Sequence, residues 1–193
     1  MSRWSRELDR FTLDLETALA HDPATKKEHE KLGMFEYIPL DPEQFLNQMA
    51  IATGFFVDRK LKDDELTFMD VGCGIGSKLK LARDNFGWAE GKRLKVFGLE
   101  YSQKYVDIAK RFVGSDAAFK VMDAREFDYA GINIVYFYCP MLDPTKQREL
   151  EKQIYTTVSK NTIIIANLFK HQVSEMRKMG VFPLWGRNHF VKR

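Results

Sequence analysis

A chain of 193 residues with 45% hydrophobic content can bury one substantial core and is short for two full domains. Its 30 Lys and Arg against 27 Asp and Glu leave a net charge of +3, which neither announces nor excludes a nucleic-acid partner. No apolar run reaches the roughly 20 residues needed to cross a bilayer, and Met1-Ser2-Arg3-Trp4-Ser5-Arg6 leads into charges rather than a signal-peptide core. Cys73 and Cys139 lack the spacing of a metal site or a disulfide scaffold. These features predict a soluble cytoplasmic protein with reduced thiols, no membrane partner and no metal.

Trp4, Leu8, Phe11, Leu15 and Leu19 recur at steps of three and four, which predicts an amphipathic helix over residues 3–20. His21 to Lys31, rich in charge and carrying Pro23, predicts a solvated loop suited to act as a lid. Asp41-Pro42-Glu43 then opens a helix with a capping side chain, a proline at the first helical position and an acid in the first turn. Phe45, Leu46, Met49 and Ala52 supply its buried face and Gly54 its stop.

From Leu66 the chain alternates strand and helix. Strands are predicted at Leu66–Val71, Leu94–Leu99, Ala118–Met122, Ile132–Tyr138 and Thr162–Ala166. Helices are predicted at Lys78–Phe86, from Ser102 to Val113, and from Asp143-Pro144 to Ser159. Such alternation implies an α/β fold with a doubly wound, mostly parallel sheet. A polar helix near His171–Met179 and the apolar residues Val181, Phe182, Phe190 and Val191 suggest a short edge hairpin. Residues 1–60 thus read as an N-terminal helical extension with a lid, and 61–193 as the α/β unit, within one structural domain overall.

The most informative stretch is Asp70-Val71-Gly72-Cys73-Gly74-Ile75-Gly76-Ser77, where the first strand hands over to the first crossover helix. Ligands bind at that position in this fold. The spacing is GxGxG rather than the GxGxxG that lays a pyrophosphate over a helix N-terminus, which disfavours a dinucleotide. Asp70 at the strand end suits a ligand with a positive amino group. Glu100 ends the second strand, 24 positions after Gly76, where a carboxylate can accept from both hydroxyls of a ribose. Asp123 ends the third strand, placed to accept from an exocyclic amine.

Three successive strands ending in Asp, Glu and Asp, the first running into GxGxG, resemble the seven-stranded class I S-adenosyl-L-methionine-dependent methyltransferases over residues 66–166. The resemblance implies that Asp70, Gly72, Cys73, Gly74 and Gly76 hold the methionine moiety, Glu100 the ribose and Asp123 the adenine, with Tyr101 and Ala124 lining the base. It also places the acceptor mouth at Tyr138-Cys139-Pro140-Met141, which departs from the Asn/Asp/Ser-Pro-Pro-aromatic tetrad of amino-methylating nucleic-acid enzymes. Cys139 precedes a proline, whereas the nucleophile of cytosine-5 enzymes follows one, so it is read as a small buried thiol.

Tyr37-Ile38-Pro39-Leu40-Asp41-Pro42 is similar to the Tyr-x-Pro lead-in of small single-domain protein-lysine methyltransferases. That likeness implies Tyr37 at the acceptor mouth and a protein lysine amine as acceptor, while strand alternation favours Tyr138 over Phe137 for acceptor contact and leaves Tyr136 in the core. An RNA or small-molecule acceptor, and a catalytically inactive S-adenosyl-L-methionine-binding module, are the alternatives. The basic groups Lys78/Lys80/Arg83 and Lys92/Arg93/Lys95 are read as solvated faces.

Overall fold

Asp-Pro opens helices repeatedly in this chain. In the computed structural model, which describes Asp14, Ala18 and residues 22–33, 41–57, 59, 64–89, 91–114, 117–166, 172–184 and 188–193, the first such pair leads into helix α1 (Pro23–Leu32). Ala24 N–H donates to Asp22 Oδ1 at 3.3 Å, so the stretch expected as a loop is a helix. Lys26, Lys27, Glu30 and Lys31 are exposed, and the proline starts the helix instead of breaking it. Asp41 caps α2 (Pro42–Gly54) by accepting from Gln44 N–H at 3.1 Å. The helix expected over 3–20 and the Tyr37-Ile38-Pro39 segment lie outside the described residues, apart from helical Asp14 and Ala18.

The sheet grows outward from β1 (Glu65–Val71), whose Phe68 and Met69 point to opposite faces as strand alternation requires. After helix α3 (Ser77–Phe86) and the two-residue β2 (Trp88–Ala89), β3 (Lys92–Glu100) pairs in parallel with β1. Helix α4 (Gln103–Val113) returns the chain to β4 (Ala118–Val121), parallel to β3. The chain then crosses back, and β5 (Ile134–Phe137) pairs with the other edge of β1. Helix α5 (Pro144–Thr157) leads to β6 (Ile163–Ala166), parallel to β5. After α6 (Gln172–Lys178), the hairpin of β7 (Val181–Pro183) and β8 (His189–Lys192) adds antiparallel strands beyond β6.

The order is β4-β3-β1-β5-β6-β8-β7, with β2 sharing the outer edge of β3 with β4, so the sheet is seven strands wide. Direction of travel reverses between β1 and β5, which opens a crevice at the carboxyl ends of those strands.

Core packs on both faces of the sheet. One cluster joins Phe45 and Met49 of α2 to Phe68, Val96, Ile134, Tyr136 and Ile165; the other joins Leu150 and Ile154 of α5 to Met69, Val71, Val135, Phe137 and Ile164. Each such side chain contributes about 1.5–3 kcal/mol on burial, enough to fix β1 and β5 at the floor of the crevice. Phe45 meets Tyr136 edge-on, ring centroids 5.5 Å apart, and so seats the start of α2 beside the end of β5. Among the described residues no helix is long and apolar enough to cross a membrane.

Strand β5 is shorter than the predicted Ile132–Tyr138. Cys139 adopts a left-handed backbone (φ 44°) that turns the chain away from the sheet before Pro140. Two basic groups expected in solvent have structural partners: Lys92 is buried with Nζ 3.2 Å from Val57 O, and Lys95 pairs with Glu65 at 2.5 Å.

Candidate functional site

The crevice floor is the glycine loop. Gly72 N–H and Cys73 N–H both donate to Leu99 O at 2.9 Å, strapping the loop to the end of β3. Gly72 (φ 76°) and Gly76 (φ 82°) occupy backbone conformations that favour glycine, and both also make room for neighbours. A Cβ at Gly72 would lie 2.8 Å from Pro140 Cβ, and one at Gly76 would lie 2.6 Å from Val113 Cγ2. Gly76 is the N-cap position of α3, so the first amides of that helix follow directly on the loop.

Asp70, 1% exposed, is the next-to-last residue of β1, two positions before the first loop glycine. Cys73 packs below the loop: a Cβ at Gly98 would meet Cys73 Sγ at 2.7 Å, so the side chain fills the sheet side. Burial first, and then the charges of Glu100 and Asp70, push its thiol pKa well up. Of the two cysteines, then, the one inside the glycine motif is a neutral packing group.

Glu100 ends β3 and is 2% exposed. Its Oε2 accepts from Gly74 N–H at 2.9 Å, and its Oε1 accepts from Tyr101 N–H at 2.7 Å and Ser102 N–H at 2.9 Å. Burial raises its pKa above the ordinary 4.5, although the three amides pull the other way. A carboxylate offers about four acceptor positions. With three taken by backbone amides, about one remains for a further donor.

The crevice beside Glu100 encloses about 80 Å³. Leu99, Met122, Ala124 and Met141 give it apolar walls, and Tyr101, 50% exposed, stands at its rim. Asp123 also lines it, but its carboxylate is already engaged. Arg125 donates to it through Nη2 at 2.6 Å, Nε at 3.1 Å and the backbone N–H at 2.9 Å, and reaches Glu149 through Nη1 at 2.7 Å. That guanidinium holds the Asp123 carboxyl below the usual aspartate range. A ligand amine at Asp123 therefore has to share this acid with Arg125.

Residues far from the motif close the crevice. Gly33, just past α1, lines it, and Gly33 O accepts from Leu142 N–H at 3.1 Å. Lys146 of α5 and Pro140 complete the wall. Gln147 Oε1 accepts from Met141 N–H at 3.2 Å, and its amide donates to buried Glu151 at 2.9 Å, which sets the shape of the 139–142 turn.

At the mouth, Tyr136 and Phe137 are buried and Tyr138 is 36% exposed. Burial pushes the Tyr136 hydroxyl up to about 12, against the pull of Lys78, whose Nζ lies 5.6 Å from the ring centroid. Lys78 and Lys80 are both only partly exposed, and Lys80 pairs with Asp84 at 2.8 Å, so neither is the solvated residue expected. Cys139 is half-buried, and burial together with the charge of Glu151 raises its thiol pKa. It has the wrong electrostatics for a thiolate nucleophile. Tyr37 lies outside the described residues.

Sequence reasoning missed Gly33, Lys78, Arg125 and Lys146. Lys78 carried a signal, since a cation in the first turn of a helix opposes the helix dipole and calls for a reason. Arg125 stands two residues after Asp123 and bonds it locally, whereas Gly33 and Lys146 carried no signal, because they reach the crevice only through the packing of α1 and α5 against the strand ends.

No protein-family profile matches the chain, and neither does any curated protein sequence. Solved structures match its fold. The plantazolicin methyltransferase BpumL, in complex with a pentazolic desmethylPZN analog and SAH, aligns with TM-score 0.55 and 17% identity over 91% of this chain and 65% of that one. The chain therefore spans just under two thirds of the length of that protein. Magnesium protoporphyrin IX methyltransferase from Synechocystis PCC 6803 with bound SAM aligns with TM-score 0.56 and 16% identity, covering 79% of this chain and 82% of that one. An RNA methyltransferase from Salinibacter ruber in complex with S-adenosyl-L-homocysteine aligns with TM-score 0.53 and 18% identity, covering 79% and 91% respectively. The chain has the α/β fold of the class I methyltransferases, a mostly parallel sheet seven strands wide flanked by helices.

Proposed function

We propose that the chain is an S-adenosyl-L-methionine-dependent methyltransferase. The observation that carries this is that Gly72 and Glu100 line one crevice at the point where the strand order reverses, with Gly74 bonded directly to Glu100 and the buried Asp70 near enough to act on it electrostatically. The donor set fits the cofactor: buried carboxylates for an ammonium and a ribose hydroxyl, an apolar slot for a base, and a glycine cradle that any Cβ would fill at Gly72. When bound, the cofactor supplies an activated methyl group on a sulfonium.

The chain's own residues then hold, orient and exclude. Asp70 supplies negative charge toward an ammonium, and Lys78, at the start of α3, supplies positive charge toward a carboxylate. Gly72, Gly74 and Gly76 let the backbone approach, and Cys73 packs them from below. Glu100 takes one ribose hydroxyl. Ala124 and Tyr101 bound the base, whose amine shares Asp123 with Arg125. Gly33 and α1 act as a lid, because the bond from Leu142 to Gly33 closes the crevice from above. Tyr138 faces the acceptor, and the apolar aromatic mouth favours a neutral nucleophile by disfavouring charge. Positioning donor and acceptor is the main catalytic demand on such a site.

The three solved structures named above are called by their acceptors a plantazolicin, a porphyrin and an RNA methyltransferase, so the fold is compatible with several acceptor classes. The lysine reading has the Tyr37-Ile38-Pro39 likeness as its support.

Calorimetry with S-adenosyl-L-methionine tests the proposal, and a folded protein that shows no binding defeats it. Incubation with methyl-labelled cofactor and fractionated lysate is expected to give S-adenosylhomocysteine and a labelled acceptor. Tight binding with no turnover on protein, RNA or metabolite fractions would leave a binding module in place of an enzyme.

A further inference from the structure

One short run of sequence builds the base end of the crevice. Asp123 caps a 3-10 turn (Ala124–Glu126) by accepting from Arg125 N–H at 2.9 Å. The buried Tyr129 anchors that turn, its hydroxyl donating to Ala124 O at 2.8 Å. A side chain two positions past a cap can fold back on it, and Arg125 does so. Nε lies 3.1 Å and 3.2 Å from the two Asp123 oxygens and Nη2 lies 2.6 Å from Oδ2, while Nη1 reaches Glu149 of α5 at 2.7 Å. The guanidinium is thereby fixed between the turn and α5.

Donor and acceptor capacities at this end are unequal. Both Asp123 oxygens already accept, from the Arg125 backbone N–H and from Nε and Nη2, so little of a carboxylate's capacity of about four positions is left for a base amine. The guanidinium charge also compensates the carboxylate, which lowers its pull on any further donor. Arg125 carries more N–H groups than these contacts use: Nη1 and Nη2 each keep a hydrogen with no partner among the described residues. Arg125 lines the crevice beside Asp123, and its side chain is 29% exposed. A pinned, planar donor loses little conformational freedom on meeting a ligand, unlike the exposed Lys146 on the same wall.

We propose that Arg125 is the specificity-determining residue at the base end of the crevice: its guanidinium donates to a ring nitrogen beside the six-position amine, and it holds the base more strongly than the Asp123 carboxylate does. The proposal rests on the methyltransferase reading and deepens it. Ring nitrogens accept and the amine donates, so the two residues recognise different atoms of the base. Removing those atoms singly separates their roles.

The test is calorimetry on the full chain with S-adenosylhomocysteine, its 6-deamino analogue, which lacks the amine, and its 1-deaza and 7-deaza analogues, each lacking one ring nitrogen beside it. In wild type, removing the amine is expected to weaken binding by less than about threefold, and removing one of the two ring nitrogens by roughly fivefold to thirtyfold. In R125M, a long side chain with no donor, the order is expected to reverse. The deaza losses shrink to less than about twofold, and the released Asp123 makes the amine worth roughly fivefold or more. R125K, a donor without the fork, should restore part of the deaza loss. A role confined to propping up the turn would weaken all four ligands by one factor and leave their order unchanged.

A wild type that loses more on removal of the amine than of either ring nitrogen overturns the proposal with no variant needed, which covers the case of an R125M chain that fails to fold. Deaza losses that persist at full size in folded R125M overturn it as well, because the donor is then another group. If S-adenosylhomocysteine does not bind the folded wild type, the methyltransferase reading fails and this inference with it. If it binds and the amine dominates, that reading stands and only this inference falls.

Discussion

Glu100 Oε2 accepts a 2.9 Å hydrogen bond from Gly74 N–H, so the carboxyl end of β3 and the centre of the glycine loop are held as one unit. The same carboxylate gathers the amides of Tyr101 and Ser102 at the entrance to α4. A single buried side chain thereby aligns two of the segments that form the proposed cofactor site.

Replacing Glu100 by alanine removes a charged acceptor from three amides and from the proposed ribose contact. Hydrogen bonds to a charged group are worth about 1.5–3 kcal/mol each, so affinity for S-adenosyl-L-methionine is expected to fall by roughly tenfold to a hundredfold or more. Calorimetry on E100A, with circular dichroism to establish that it is folded, checks this. Unchanged affinity in a folded variant would remove Glu100 from the site.

The pH dependence follows from the same burial. The folded-state pKa of Glu100 is raised above 4.5, so folding binds a proton more readily than the unfolded chain does in that window. Its favourable contribution is complete below the unfolded pKa and is lost as pH rises through the folded one. Lowering the pH through the range just above 4.5 should therefore shift the stability difference between wild type and E100Q toward wild type. Cofactor affinity should fall over the same range, as the ionised acceptor is lost. Denaturant titrations and calorimetry at matched pH values check the two signs, and a stability difference that moves the other way would contradict the assigned shift.

Gly72 and Gly91 separate two effects of a glycine. Both have positive φ, 76° and 75°, but a Cβ at Gly91 meets nothing within 4 Å, whereas one at Gly72 lies 2.8 Å from Pro140 Cβ. Gly91→Ala should cost about 1–2 kcal/mol for left-handed backbone alone. Gly72→Ala should cost more, by roughly 1–3 kcal/mol of overpacking, and should also weaken cofactor binding by moving Pro140. Equal losses in thermal unfolding would mean that Pro140 yields freely.

Cys139 should not be required for turnover. Its thiol pKa is raised by burial and by Glu151, so Cys139→Ser is expected to change turnover by less than about threefold, far short of the loss on removing a covalent nucleophile. Alkylation by iodoacetamide near neutral pH should be slower than for free cysteine. A Cys139→Ser variant that binds cofactor normally but is inactive would reverse this assignment.

If Gly33 and α1 close the crevice, the cofactor should protect that helix. Trypsin cleavage after the exposed Lys26, Lys27 and Lys31 is expected to slow on addition of S-adenosyl-L-methionine. Cleavage at an unchanged rate, with binding verified in the same buffer, would remove the lid.

Local patterns in the sequence were enough to determine the alternation of strands and helices, the hairpin at the end of the chain, the glycine loop and the acids at or near the ends of β1, β3 and the turn after β4. Each depends on neighbours a few residues away, through period, capping or turn chemistry. The Asp-Pro signal was equally present at Asp22-Pro23, where surrounding charge led to the expectation of a loop and the structure has a helix. Only the tertiary structure decided how the side chains share their partners: Glu100 divided among three amides, Asp123 taken by Arg125, Lys78 placed on Tyr136, Gly33 brought over the crevice. Gln48 and His189 meet across 141 positions of chain because the hairpin lays β8 beside β6. Periodicity reports which face of an element is buried. It carries no information on which polar group reaches a given atom first, and that allocation depends on distances between elements that only packing sets.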